Sequence, residues 1–139
     1  MVTGGTSSFS GYSVELLNSD GSWYCNLPSF QEPRSTHSQI GNLVCGGGNN
    51  KLNTTLTCEV FNSGIINKYF VPLALHNILG QWFQLKTELI DRRFAANIFE
   101  NENGVILMAG EYSNSAEILQ NGESHLLDLN ISSTRYFEH

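Results

Sequence analysis

Three times along this chain a short apolar segment runs into glycine, and a second segment carrying a glutamate follows. Val44-Cys45-Gly46-Gly47-Gly48 leads to Leu56-Thr57-Cys58-Glu59-Val60-Phe61. Upstream, Val2-Thr3-Gly4-Gly5 leads to Ser13-Val14-Glu15-Leu16-Leu17, and downstream Val105-Ile106-Leu107-Met108-Ala109-Gly110 leads to Ser115-Ala116-Glu117-Ile118-Leu119. One supersecondary unit repeated in this way cannot bury its apolar face alone. It must stack on its neighbours, and that requirement constrains the fold more than any other feature of the sequence.

The repeats divide the chain into units over about 1–33, 34–91 and 92–134, with the opening of a fourth at 135–139. Strands are expected at 13–17 and 22–27, at 36–40, 43–46, 57–61 and 82–85, and at 94–99, 105–108, 116–119 and 126–129. Asn18-Ser19-Asp20-Gly21, Gly41-Asn42 and Asn121-Gly122 read as hairpin turns, because these residues tolerate positive φ. The spacing repeats too. Trp23 lies 8 after Glu15, Arg34 lies 11 after Trp23, and Arg93 lies 11 after Trp82. Glu59 to Trp82 spans 23 residues instead of 8, and the surplus falls at about 64–79, the most apolar window of the chain. This stretch reads either as a real insertion or as the translated remnant of an intron.

Composition narrows the function classes. The chain has 139 residues, of which 40% are hydrophobic and only 14% charged, against ~25% in an ordinary soluble domain. A net charge of −6 leaves no basic stripe to replace phosphate counterions, which argues against nucleic acid as a partner. No apolar run approaches the ~18 residues that span a bilayer, so no membrane insertion is expected. Met1 is followed at once by a repeat, as expected of a chain cut at this end.

These residues resemble the kelch repeat. That motif has Gly-Gly at a strand end, a glutamate on the next strand and a tryptophan on the last, then Pro and Arg before the next unit. Gly4, Gly5, Glu15, Trp23, Pro28 and Arg34 match it, as do Gly46, Gly47, Glu59, Trp82 and Arg93. The third copy matches in part: Ala109-Gly110 replaces Gly-Gly, Glu117 and Arg135 fit, and His125 stands at the tryptophan slot. The resemblance implies an all-β, kelch-type β-propeller with about three blades of four-stranded antiparallel sheet, an incomplete propeller. It implies glycines where blades crowd together, tryptophans packed between sheets, and Arg–Glu pairs at the blade boundary. Open edges would invite self-association.

Within that family, Cys25-Asn26-Leu27-Pro28, Arg34 to His37, Cys45-Gly46-Gly47 and Cys58 are similar to a disulfide-bearing animal group, in which the last two cysteines bridge neighbouring strands. Cys45 and Cys58 fall on consecutive expected strands, where a disulfide is feasible; a pair of buried thiols is the alternative. Asn53-Thr54-Thr55 and Asn130-Ile131-Ser132 fit the N-glycosylation pattern at Asn53 and Asn130. Sequons and cysteines lean towards a secreted origin, with the cytoplasm as alternative.

Three cysteines are too few and wrongly spaced for zinc, and His37, His76, His125 and His139 show no ligand spacing. No serine stands in a nucleophile elbow, and Gly46-Gly47-Gly48 lacks the Lys and helix of a phosphate loop. No catalytic residue, metal or cofactor is therefore expected. Glu15, Glu59 and Glu117 recur at equivalent positions, which points to architecture. The leading expectation is a non-catalytic module that binds protein partners through loops at 7–11, 48–53 and 112–114. Two other readings stand beside it: a fragment of a galactose-oxidase-like copper enzyme, and a truncated product with no function of its own.

Overall fold

The computed structural model describes residues 2–3, 14–17, 19–24, 28–48, 54–62, 80–111 and 113–128. Among these residues there are eleven strands and no helix. Strands β1 (Val2–Thr3), β2 (Val14–Leu17) and β3 (Trp23–Tyr24) form one antiparallel sheet in the order β1-β2-β3. Strands β4 (Ser38–Ile40), β5 (Leu43–Cys45), β6 (Cys58–Phe61) and β7 (Trp82–Gln84) form the second, a four-stranded meander. The third has the same order: β8 (Asn97–Glu100), β9 (Val105–Met108), β10 (Ala116–Gln120) and β11 (Glu123–Leu127).

The pairing register repeats from sheet to sheet. The glutamate of each third-position segment stands opposite an aliphatic residue: Val2 faces Glu15, Val44 faces Glu59, and Leu107 faces Glu117. Two residues further on, Leu17 faces Trp23, Phe61 faces Trp82, and Leu119 faces Ser124. Ser124, not His125, therefore occupies the tryptophan position of the third sheet. The one-residue difference matters because successive strand residues point to opposite faces. The strand also starts earlier than expected, at Glu123. The Asn121-Gly122 turn has positive φ at both residues (51° and 75°), and such a two-residue turn leads straight back into pairing.

Two other strand starts fall later than expected. Thr36 and Ala95 both hold left-handed φ, 56° and 57°, which interrupts extended backbone ahead of β4 and β8. The two kinks are joined, since the Ala95 N–H donates to the Thr36 carbonyl at 2.8 Å.

Neighbouring sheets pack face to face. Leu43, Val44 and Cys45 are all buried, and they alternate between two cores. Leu43 and Cys45 join Cys58, Leu85, Leu89, Val105, Leu107 and Leu119 between the second and third sheets. Val44 joins Val14, Phe30 and Trp82 between the first and second. This two-sided burial is why β5 reads as unbroken apolar sequence. The second and third sheets are joined at their entries: Ser38 Oγ on β4 donates to the carbonyl of Ala96, just ahead of β8, at 2.8 Å, and Gly47 N–H, just past β5, to the Arg93 carbonyl at 2.9 Å.

The two tryptophans differ. Trp82 is buried, with Phe30 edge-on at 4.6 Å and Phe61 at 5.5 Å between centroids. Trp23, expected in a core, is 52% exposed. The cover on Trp82 is Phe30, which comes from the connection entering β4, and no described residue stacks on Trp23 in that way.

Candidate functional site

The chain enters each four-stranded sheet through an arginine that is completely buried. Arg34 and Arg93 are among the largest side chains with no exposure, and so are their glutamate partners Glu59 and Glu117. Arg34 Nε donates to Glu59 Oε2 at 2.8 Å. Its Nη1 donates to the carbonyls of Gly46 at 2.9 Å and Thr57 at 2.8 Å, and its Nη2 to Thr57 Oγ1 at 2.6 Å. Arg93 repeats the set. Its Nε donates to Glu117 Oε1 at 2.6 Å, its Nη1 to the carbonyls of Ala109 (2.9 Å) and Ser115 (2.8 Å), and its Nη2 to Ser115 Oγ at 2.9 Å.

The glutamates are held from the other side by the connection itself. Gln31 N–H donates to Glu59 at 2.6 Å, and Ile90 N–H to Glu117 at 2.7 Å. Ser124 Oγ adds a further bond to Glu117 at 2.7 Å. A second carboxylate caps each cluster. Glu32 accepts from the hydroxyls of Thr55 and Thr57 at 2.9 and 2.8 Å, and Asp91 accepts from those of Ser113 and Ser115.

All three nitrogens of each guanidinium are thus engaged inside the protein, and each glutamate is desolvated, paired and hydrogen-bonded. A buried pair is tolerated only when its remaining donors and acceptors are met in this way. Groups so occupied have nothing left to offer a substrate. Their chemistry here is to lock the entering chain to the place where one central strand ends and the next begins.

The glycines expected at the strand end serve the same joint. Gly46 and Gly47 hold positive φ of 65° and 71°. A Cβ on Gly46 would lie 2.6 Å from the Arg93 carbonyl, so the next unit could not seat. In the third sheet Ala109 (φ 57°) and Gly110 (φ 125°) take these places. Cys45 and Cys58 stand directly opposite on β5 and β6, Cα atoms 4.1 Å apart, and are joined as a disulfide. His37 lies edge-on to Phe30 at 5.8 Å. Burial, with the nearby Arg34 charge, lowers its pKa to about 4.

Beside the first cluster is an open groove of about 460 Å³. It is lined by Glu32 and Pro33, by residues 54–57, and by Glu88 and Arg92. Thr54 is 4% exposed, and its Oγ1 is buried with no hydrogen-bond partner. Arg92 Nη1 donates to the Thr54 carbonyl. Among the described residues no three His, Cys, Asp or Glu side chains are grouped to hold a metal ion. His125 is exposed and sits 3.1 Å from Glu123.

The site residues read from sequence are thus brought together as Arg34 with Glu59, Gly46 and Gly47, and as Arg93 with Glu117 and Gly110. Glu15 lies on β2. Gly4, Gly5, Cys25, Asn53, Asn130, Arg135, the stretch 64–79 and the loop at 7–11 lie outside the described residues. The capping carboxylates and hydroxyls were not foreseen, although the sequence carries them as a pattern. Glu32-Pro33-Arg34 with Thr55-Leu56-Thr57-Cys58-Glu59 recurs as Asp91-Arg92-Arg93 with Ser113-Asn114-Ser115-Ala116-Glu117. No protein-family model matches this sequence, and no curated protein matches it.

Proposed function

We propose that this chain is a non-catalytic protein-interaction module built from kelch-type blades of a β-propeller. The observation that carries the reading is the recurrence of a buried Arg–Glu cluster, with the same arginine bonds and the same kind of capping carboxylate, in two consecutive meanders packed face to face. Such a cluster makes a rigid joint and leaves the connections free to differ. They do differ. Residues 46–57 join β5 to β6, whereas the shorter stretch 109–115 joins β9 to β10. Counting from either end, the surplus is 49–53, and Gly48 and Thr54 pair as a bridge at its base. A longer connection held at both ends by a rigid frame is where binding residues are found.

The test uses that surplus. Deleting 49–53 gives β5–β6 the connection length of β9–β10. The reading expects an unchanged circular dichroism spectrum and loss of a saturable protein partner captured by the full chain. Two results overturn it: capture indifferent to the deletion, and no partner beyond those bound by an unrelated all-β domain of equal charge.

A further inference from the structure

We infer that the groove beside the first cluster receives a lysine or arginine side chain of a partner polypeptide, and that the chain's own Arg92 holds the place until the partner arrives. The inference rests on the interaction-module reading and deepens it. Three observations point the same way. First, the lining carries two carboxylates, Glu32 and Glu88, and one guanidinium, Arg92; the buried Arg34 guanidinium, 3.7 Å from Glu32, is already paired with Glu59. Second, Thr54 lines the groove, and its Oγ1 is a buried hydroxyl with no hydrogen-bond partner. Buried polar groups are ordinarily paired, so one that is not calls for an explanation. Third, the groove already holds a cation of this chemistry, since exposed Arg92 lies along it and donates to the Thr54 carbonyl.

The apolar lining fits the same guest. Pro33 and Leu56 are half-buried in the groove. They can cover the methylene stem of a lysine or arginine while its head reaches the carboxylates, the usual division of labour in these side chains. Arg34 and Arg93 are not part of the exchange, because their nitrogens are committed inside their own clusters. Arg92 is not so committed; an exposed side chain can swing out at little cost.

Arg92 makes the test two-sided. The probe is hexalysine, with hexaglutamate beside it, titrated into the isotope-labelled full chain and followed by backbone amide shifts. Hexalysine is expected to move the amides of Glu32, 54–57, Glu88 and Arg92 and to saturate, while hexaglutamate does not. Glu88→Gln should weaken the hexalysine complex at least fivefold. Arg92→Ala should strengthen it at least threefold, by removing the resident cation and freeing the Thr54 carbonyl. Both side chains are exposed, and unfolding midpoints within error of the parent will verify that the variants fold.

Shifts spread over Glu100, Glu102 and Glu123, or insensitive to Glu88→Gln, would mean diffuse attraction to an acidic surface and overturn the inference. So would weaker binding in Arg92→Ala. Failure of hexalysine with loop-dependent capture intact rejects the groove and leaves the module reading. Groove binding with no captured partner does the reverse.

Discussion

Replacing Arg93 with methionine should cost this protein about 4 kcal/mol of folding stability. Methionine keeps the length and apolar stem of the side chain and removes only the guanidinium. What is lost is a bond to Glu117 at 2.6 Å, bonds to the carbonyls of Ala109 and Ser115 at 2.9 and 2.8 Å, and one to Ser115 Oγ at 2.9 Å. What remains is Glu117 with no exposure, held by Ile90 N–H and Ser124 Oγ but facing no positive charge. Removing one partner of a buried pair costs roughly 3–5 kcal/mol because the other is stranded, and two carbonyls lose their donors as well. A cost of about 4 kcal/mol lowers the folding equilibrium constant by nearly three decades, and total stability for a small protein is only about 5–15 kcal/mol.

Urea unfolding followed by circular dichroism measures it. The control is the double variant Arg93→Met with Glu117→Gln, which removes the stranded charge. It should recover at least about 2 kcal/mol of the loss, so the two substitutions are far from additive. Arg34→Met should cost the same as Arg93→Met, since its bonds to Glu59, Gly46 and Thr57 correspond one for one. A loss below about 1.5 kcal/mol at both arginines, or additive behaviour in the double variant, would refute the view that these clusters hold the units together.

Three further outcomes follow from the same structure. Ala109 and Gly46 occupy equivalent left-handed positions, with φ of 57° and 65°. Ala109→Gly should therefore stabilise by roughly 0.5–1 kcal/mol, while Gly46→Ala, whose Cβ meets the Arg93 carbonyl, should destabilise by about 2 kcal/mol or more; thermal melts give both signs. His37, with its pKa lowered to about 4, stays neutral in the folded state while the unfolded chain takes up a proton below about 6.5. Stability from this residue is full above pH 6.5 and falls as the pH drops towards 4, by roughly 2–3 kcal/mol; the difference between parent and His37→Gln across that range isolates it from the carboxylates. Reducing the Cys45–Cys58 bond, which closes a sequence separation of 13, should cost about 3 kcal/mol, read as a shift of the urea midpoint with and without a phosphine reductant.

The glutamates were the most legible part of the site. A carboxylate in the middle of Cys58-Glu59-Val60-Phe61 or Ala116-Glu117-Ile118-Leu119 contradicts its surroundings, and such a residue persists only when something neutralises it. The strands were legible for the same reason in reverse, because β5 and β9 are apolar on both faces. The hydroxyls and second carboxylates were harder. Thr57 and Ser115 look like ordinary strand residues, and their roles arise only when a connection 23 or 22 residues away folds back over them. The third tryptophan position was misassigned because it holds no indole. Ser124 lies 11 before Arg135, as Trp23 does before Arg34 and Trp82 before Arg93, so spacing marks it where residue type does not. The exposure of Trp23 was not legible at all, since burial of that position depends on a neighbour such as Phe30 and not on the strand that carries it.

What recurs between the sheets and what does not separate frame from function. The arginine, the glutamate, the hydroxyl pair and the capping carboxylate recur with their bonds; the fully buried arginine and glutamate have nothing left for a ligand, whereas the capping carboxylate Glu32 is partly exposed at the groove. The groove draws on both classes. Glu32 and Thr57 belong to the recurring cluster, with Asp91 and Ser115 as counterparts. Leu56 and Arg92 stand where the other unit has Asn114 and Pro33, and Thr54 is bridged to Gly48 across the longer connection. If the groove binds as inferred, the part of its lining that belongs to the cluster is preorganised, and the rest is free to vary. Rigidity comes from a joint that the fold needs in any case. On that reading Glu88 and Arg92, on the connection between β7 and β8, can change without disturbing a bond of the Arg34–Glu59 cluster beneath them.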